Sequence, residues 1–326
     1  MFKALVLDLA DKKTCASICQ LEDSALPEGD VVVKVDYSSL NYKDGLAITG
    51  KGRIVRNFPM VPGIDLTGTV ESSLDPRYAE GDKVVLTGWG VGEGHWGGMA
   101  EKASLKADWL VPLPKGFDGK QAMMVGTAGF TAMLCVQALI DAGVTPESGE
   151  ILVTGASGGV GSVAVCLLAQ LGYSVAAVTG RVEQNGELLR SLGASRIIDR
   201  DEFAEAARPL EKQLWAGAVD TVGSNVLAKV LAQIDYNGAV AACGLAGGFD
   251  LPTTVMPFIL RSVSLLGIDS VSCPTAKRIK AWQRLAELLP QSYFQQACTE
   301  IELPQVAAYA EAITLGQVTG RVVIKL

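Results

Sequence analysis

The chain is poor in the residues that build metal sites and covalent staples. It has one histidine, His95, and seven cysteines, at 15, 19, 135, 166, 243, 273 and 298, with no C-x-x-C pair among them. That distribution argues against a disulfide framework and a structural zinc lobe. No apolar run approaches the twenty or so residues of a membrane span, and the start, MFKALVLDLADKK, lacks a signal-peptide pattern. The expectation is a cytoplasmic protein with no membrane partner. Positive charge is also in deficit, 28 Lys and Arg against 35 Asp and Glu for a net charge of −7, which argues against nucleic acid as a partner. One stretch departs from this balance. GKGRIVRNFP carries Lys51, Arg53 and Arg56 with no acidic residue, and reads either as a solvated loop or as a contact for a phosphorylated substrate tail.

What is present suits a two-domain α/β enzyme. With 326 residues and 49% hydrophobic content, the chain can bury two cores. Residues 1–124 are β-rich, with alternating segments such as DVVVKVDYSSL and DKVVLTG cut by glycine and proline. From residue 125 helical and apolar β segments alternate, the pattern of a doubly wound parallel sheet. A helix at 276–289, another near 305–313 and a closing GRVVIKL strand return to the first domain. The expected division is therefore 1–124 with 270–326, and 125–269.

Glu150–Arg181 reads as a strand, a glycine turn, a helix and a second strand, the order of a dinucleotide-binding βαβ unit. Gly155 permits the tight turn, Gly158 and Gly159 admit a pyrophosphate, and Gly161 lets the helix pack on the strand. Ser157, Gly158, Gly159 and Val160 lie where the phosphate meets the helix N-terminus. An acidic residue at the end of the second strand would select NAD. This chain has Thr179, Gly180 and Arg181, with Arg200 after the next strand, a set that favours the 2′-phosphate of NADP(H).

SSLNYKD near residue 40, PGIDLTG near 62, GDKV at 81, GTAGFTA at 126, the glycine turn, LGAS at 192, DTVG at 220 and the terminal GRVV together resemble the medium-chain dehydrogenase/reductases along the whole chain. NYKDGLAITGKGRIVRNFPMVPGID, LTGWGVGEGHWGG and GLAGGFDLPTTVMPFILR are similar to its NADPH-dependent acrylyl-CoA reductase branch, grouped with quinone oxidoreductases. The resemblance implies a GroES-like β-rich catalytic domain, a Rossmann domain and a homodimer joined along the SVSLLGID edge strand. Asn41 stands where zinc alcohol dehydrogenases carry a cysteine ligand, and Ile64 and Asp65 where they carry His-Glu, so the implied chemistry is zinc-free. The implied reaction is hydride transfer to the β-carbon of acrylyl-CoA, giving propanoyl-CoA. The alternatives are reduction of a quinone or free enone, or a non-catalytic NADPH- or RNA-binding role.

By the same resemblance Asn41 and Tyr42 are the catalytic candidates at the nicotinamide cleft, the amide orienting and the phenol donating a hydrogen bond or proton. Tyr42, Thr127, Leu245, Ile259, Ser270 and Arg321 are implied cofactor contacts, Thr127 equally well as a helix cap. Asp65 is expected to bond backbone or Lys43 rather than do chemistry, and His95, beside Trp96 in a glycine-rich loop, is expected to be structural.

Overall fold

A computed structural model describes residues 1–326 and divides them into two compact units, one comprising 1–127, 270–287 and 298–326, the other 128–269 and 288–297.

In the first unit the hairpin Phe2–Ala10/Lys13–Leu21 accompanies a seven-stranded sheet. Its long strand Val31–Leu40 pairs antiparallel with Asp65–Ser73, Lys102–Leu105 and the C-terminal strand Arg321–Lys325. The VVVKV alternation turns Val31, Val33 and Val35 inward onto Leu66, Val84 and Leu86. A second core gathers Leu40, Ile48, Val306, Ala310 and Ile324, so the end of the chain completes the domain its beginning started.

The second unit holds a parallel six-stranded sheet. Its order is Arg196–Asp199, Val175–Thr179, Ile151–Val153, Trp215–Asp220, Ile234–Ala242 and Ser264–Gly267. Strands covered on both faces read as continuous apolar runs, as VAAVT and ILV do here. From Ile151–Val153 the chain first winds to one side and then, with Trp215–Asp220, to the other; this switch point is where α/β sheets bind ligands, at the carboxyl ends of the strands.

Two expectations are corrected. Residues 288–297, expected with the first domain, pack in the second unit: Tyr293 is buried there with its hydroxyl 3.4 Å from Ser162 Oγ, and Ser191 Oγ donates to Gln296 Oε1 at 2.9 Å. The helix Gly119–Asp141 is also long and apolar enough, by length and composition, to cross a membrane. Most of its apolar stretch is buried inside the protein, however, and Gly126 breaks it with φ 52° and ψ −160°. Valine, alanine and methionine serve a protein core as well as they serve lipid.

Candidate active site

The first unit contains a buried polar cluster built around Asp65, the first residue of its strand. Asp65 Oδ2 accepts from Ser39 Oγ at 2.5 Å, Asn41 Nδ2 at 2.8 Å and the Thr127 N–H at 2.9 Å, while Oδ1 takes the Thr127 hydroxyl. Arg321, 2% exposed, donates through Nε to the Met124 carbonyl, through Nη1 to Asn41 Oδ1 and through Nη2 to Ser39 Oγ, with Nη2 3.9 Å from Asp65 Oδ2. The close packing explains Gly126. A Cβ there would lie 2.6 Å from both Arg321 Nη2 and Asp65 Oδ2, and the left-handed φ already favours glycine.

Asp44 joins the cluster from the first turn of the helix Tyr42–Thr49. Its carboxyl accepts from the Asn41 N–H at 2.9 Å, Asn41 Nδ2 at 3.2 Å and the Ile64 N–H at 3.1 Å. Burial, then the nearby Asp65 charge, pushes Asp44 up to about 7. Two carboxyl groups lie close together in a buried site, so holding a proton on Asp44 relieves the repulsion.

These contacts correct the role expected of Asn41. Its amide is 7% exposed, with Oδ1 on Arg321 and Nδ2 on Asp65, Ser39 and Asp44, and so is committed to the cluster rather than turned toward a substrate. Arg321, an implied cofactor contact, turns its donors to protein acceptors within the first unit. Of the two partners expected for Asp65, the backbone is found, the Thr127 N–H, together with the side chains of Ser39, Asn41 and Thr127, whereas Lys43 Nζ pairs with Glu93 at 2.8 Å. Tyr42, the neighbour of Asn41, is 40% exposed and is the candidate whose ring reaches solvent. Ser270 gives its carbonyl to buried Arg278 at 3.1 Å, and His95 sets Nδ1 against the Trp96 carbonyl with its ring edge-on to Trp109. No group of three or more His, Cys, Asp or Glu side chains is arranged to hold a metal, and the donors around Asp65 are amide, hydroxyl and guanidinium. Zinc does not fit this set.

In the second unit the sequence-predicted nucleotide residues converge. The helix Gly159–Gln170 starts at the glycine turn, its first bond running from the Ser162 N–H to the Gly158 carbonyl. The preceding N–H groups, of Gly159, Val160 and Gly161, are those a helix start leaves for an anion. Ser157 Oγ lies 3.0 Å from Thr179 Oγ1, which also accepts the Arg181 N–H at 3.2 Å. The Arg200 side chain crosses over Gly180, where a Cβ would lie 2.5 Å from its Nε. Two hydroxyls, the Arg200 side chain, the first residues of the Arg181 segment and a helix start thus lie together at the end of the second strand, a set of donors and cations that fits a 2′-phosphate and pyrophosphate. Leu245 and Ile259 differ from this group in being 62% and 70% exposed, Leu245 lying beside Gly223 and Ile259 in the short helix Met256–Arg261.

The expectations omitted Ser39 and Asp44. The N-x-x-D spacing of Asn41 and Asp44, a helix-start signature, was the available signal for the second.

Residues 27–115 match the alcohol dehydrogenase GroES-like domain and residues 159–289 the zinc-binding dehydrogenase domain. The chain is 64% identical to a probable acrylyl-CoA reductase, AcuI, of Escherichia coli K12, and 57% identical to acrylyl-CoA reductase AcuI of Ruegeria pomeroyi, with 99% of each chain covered in both cases. Among solved structures, the YhdH oxidoreductase of Salmonella enterica in complex with NADP superposes with a TM-score of 0.98 at 63% identity, over 99% of both chains.

Proposed function

The chain belongs to the medium-chain dehydrogenase/reductase family, and on that premise we propose that it reduces the conjugated C=C bond of acrylyl-CoA to propanoyl-CoA with NADPH and without a metal. The observation that carries the reading is the convergence of Ser157, Thr179, Arg181 and Arg200 beside the glycine turn in a chain so similar to acrylyl-CoA reductases. Bound NADPH supplies the hydride. The protein must then supply a donor for the thioester oxygen as it gains charge and a proton for the α-carbon. Tyr42 is the residue for this work, because its ring is exposed while Asn41 beside it is locked. A phenol acts as donor rather than base at neutral pH. Asn41, Asp44, Asp65, Thr127 and Arg321 position it by fixing the start of its helix.

The decisive experiment follows NADPH and NADH oxidation with acrylyl-CoA, crotonyl-CoA and a benzoquinone as separate acceptors. Rapid NADPH loss with acrylyl-CoA and formation of propanoyl-CoA are expected; a response to the quinone alone would replace this reading by quinone reduction, and silence by a binding role. Tyr42→Phe is expected to lower turnover about 100-fold, in the range of a lost general acid, while still binding NADP+. Undiminished turnover would remove the hydroxyl from the mechanism.

The basic loop is narrower than its sequence suggests. Lys51 Nζ is bonded to Glu311 at 2.5 Å and to Thr314, leaving exposed Arg53 and Arg56 to meet the phosphates of CoA. Replacing both by alanine is expected to raise KM for the thioester about fivefold, modest because the site is solvated, with KM for NADPH unchanged. An unaltered thioester KM would exclude the loop.

The homodimer belongs to the same proposal. Ser264–Gly267 is an edge strand, and the segment leading to it exposes Phe249, Val255 and Leu260, an edge and apolar surface suited to a second copy. A monomeric mass in solution would count against it. A cytoplasmic location, with no nucleic acid or membrane partner, fits the acidic balance and the buried long helix.

A further inference from the structure

Several hydrogen bonds cross the switch point of the parallel sheet, and one of them is accepted by a carboxylate that no expectation singled out. Asp220 ends the strand Trp215–Asp220 and is fully buried. Its Oδ1 accepts the hydroxyl of Thr154 at 2.7 Å, and Thr154 follows the adjacent strand, one residue before the glycine turn. Its Oδ2 accepts the Gly223 N–H at 2.8 Å, in the loop beyond its own strand. Thr221 closes the connection both ways: its N–H donates to Thr154 Oγ1 at 3.0 Å and its hydroxyl to the Thr154 carbonyl at 2.9 Å. The third loop on this rim is tied in by the Cys243 N–H on the Asp220 carbonyl and the Gly247 N–H on the Val222 carbonyl.

The partners of this carboxylate are a hydroxyl and N–H groups rather than a cation. Burial raises its pKa, and the Thr154 hydroxyl with the Gly223 and Val222 N–H groups opposes that rise by favouring the ionised form. An unpaired buried charge is a costly way to join two loops when packing alone would do. Its geometry supplies what packing lacks, since both oxygens must accept. An asparagine could accept at one end only. With its oxygen on the Gly223 N–H, its NH2 would face Thr154 Oγ1, which already accepts from Thr221, and the Thr154 hydroxyl proton would lose its acceptor.

We propose that Asp220 is a positioning residue for the dinucleotide: with Thr154 and Thr221 it fixes the separation of the two loops that flank the switch point, and so the fit of the pyrophosphate and the nicotinamide half of NADP(H). The inference rests on the NADP(H) reading given above. It separates two parts of the cofactor site, because Thr179, Arg181 and Arg200 lie at the end of the next strand, with Thr179 Oγ1 bonded to the Arg181 N–H and Arg200 over Gly180, whereas the side-chain oxygens of Asp220 accept from Thr154 and Gly223.

The test is calorimetric binding of NADP+ and of adenosine 2′-monophosphate, which carries the 2′-phosphate but no pyrophosphate or nicotinamide. Asp220→Asn and Thr154→Val are each expected to weaken NADP+ about tenfold, the scale of one buried donor left without its acceptor. The double variant should be no weaker than the worse single variant, because both break one latch. Thr154→Ser keeps the hydroxyl and should bind as the parent does, and adenosine 2′-monophosphate should bind all variants equally. Should Asp220→Asn fail to fold, the contrast of Thr154→Val with Thr154→Ser decides alone. Equal NADP+ affinity in Thr154→Val and the parent overturns the inference, as does a parallel loss of both ligands, the mark of a merely structural role. A parent that binds no NADP+ overturns the cofactor reading itself.

Discussion

Replacing Arg321 with methionine is expected to destabilise the first unit by about 3–5 kcal/mol, the cost of removing one partner from a buried ionic cluster. The methionine fills much of the space but donates nothing to the Met124 carbonyl, Asn41 Oδ1 or Ser39 Oγ, and removes the cation beside Asp65. Arg321→Lys should recover part of the loss, because one ammonium cannot reach acceptors arranged for three guanidinium nitrogens. Thermal unfolding at several pH values distinguishes an electrostatic loss from a packing loss. The difference between parent and Arg321→Met should be largest at about pH 8, above the raised pKa of Asp44, where its carboxyl adds a second negative charge to the cluster, and smaller near pH 5, where Asp44 holds its proton. A pH-independent difference would mean that packing dominates.

Asp44 gives this profile a direction that can be checked independently. Its folded pKa, about 7, is above the ordinary carboxylate value of 3.8, so between those values the native state holds a proton that the unfolded chain has released. Stability therefore falls as pH rises across that window, by an amount on the order of a few kcal/mol, and the decline is complete once pH exceeds the folded value. Asp44→Asn removes the titration and should flatten this part of the profile.

The division between what could and could not be read from the chain follows the range of the interactions. The glycine turn, the apolar strands around it and the Thr179–Arg181 segment are contiguous, and each residue's job is set by neighbours a few positions away. The same holds for the VVVKV alternation of Val31–Val35. Arg321 was legible only as part of a motif: what it touches lies some 200 to 280 positions away, at Met124, Asn41 and Ser39, and nothing local distinguishes a cofactor-contacting arginine from one holding a buried amide. Asn41 shows the same limit. An amide is a good substrate donor by type, and only its burial among Asp65, Ser39 and Arg321 reveals that its bonds are already made. Residues 288–297 went to the other unit because a short helix carries no sign of what it packs against, and Tyr293 finds Ser162 across 131 positions.

Cofactor choice yields the second large effect. Arg181 begins the helix Val182–Ser191, partly buried, and burial lowers its pKa, so its charged form gains from an incoming anion; Arg200 lies exposed across Gly180. Each charge-assisted contact with the 2′-phosphate is worth about 1.5–3 kcal/mol, so either alanine variant should lower kcat/KM for NADPH by about 10- to 100-fold, and the pair by about 1,000-fold. NADH lacks the phosphate, and its kcat/KM should change little, so the double variant loses its preference. Gly180→Ala offers a test without touching either charge. The new Cβ would occupy space within 2.6 Å of Arg200 Nε and Cδ, pushing that side chain away, and the variant should reproduce the loss seen with Arg200→Ala. A parallel fall for NADPH and NADH in these variants would show that the two arginines support the adenine half or the fold itself rather than the phosphate, and the assignment of NADPH would then rest on family membership alone.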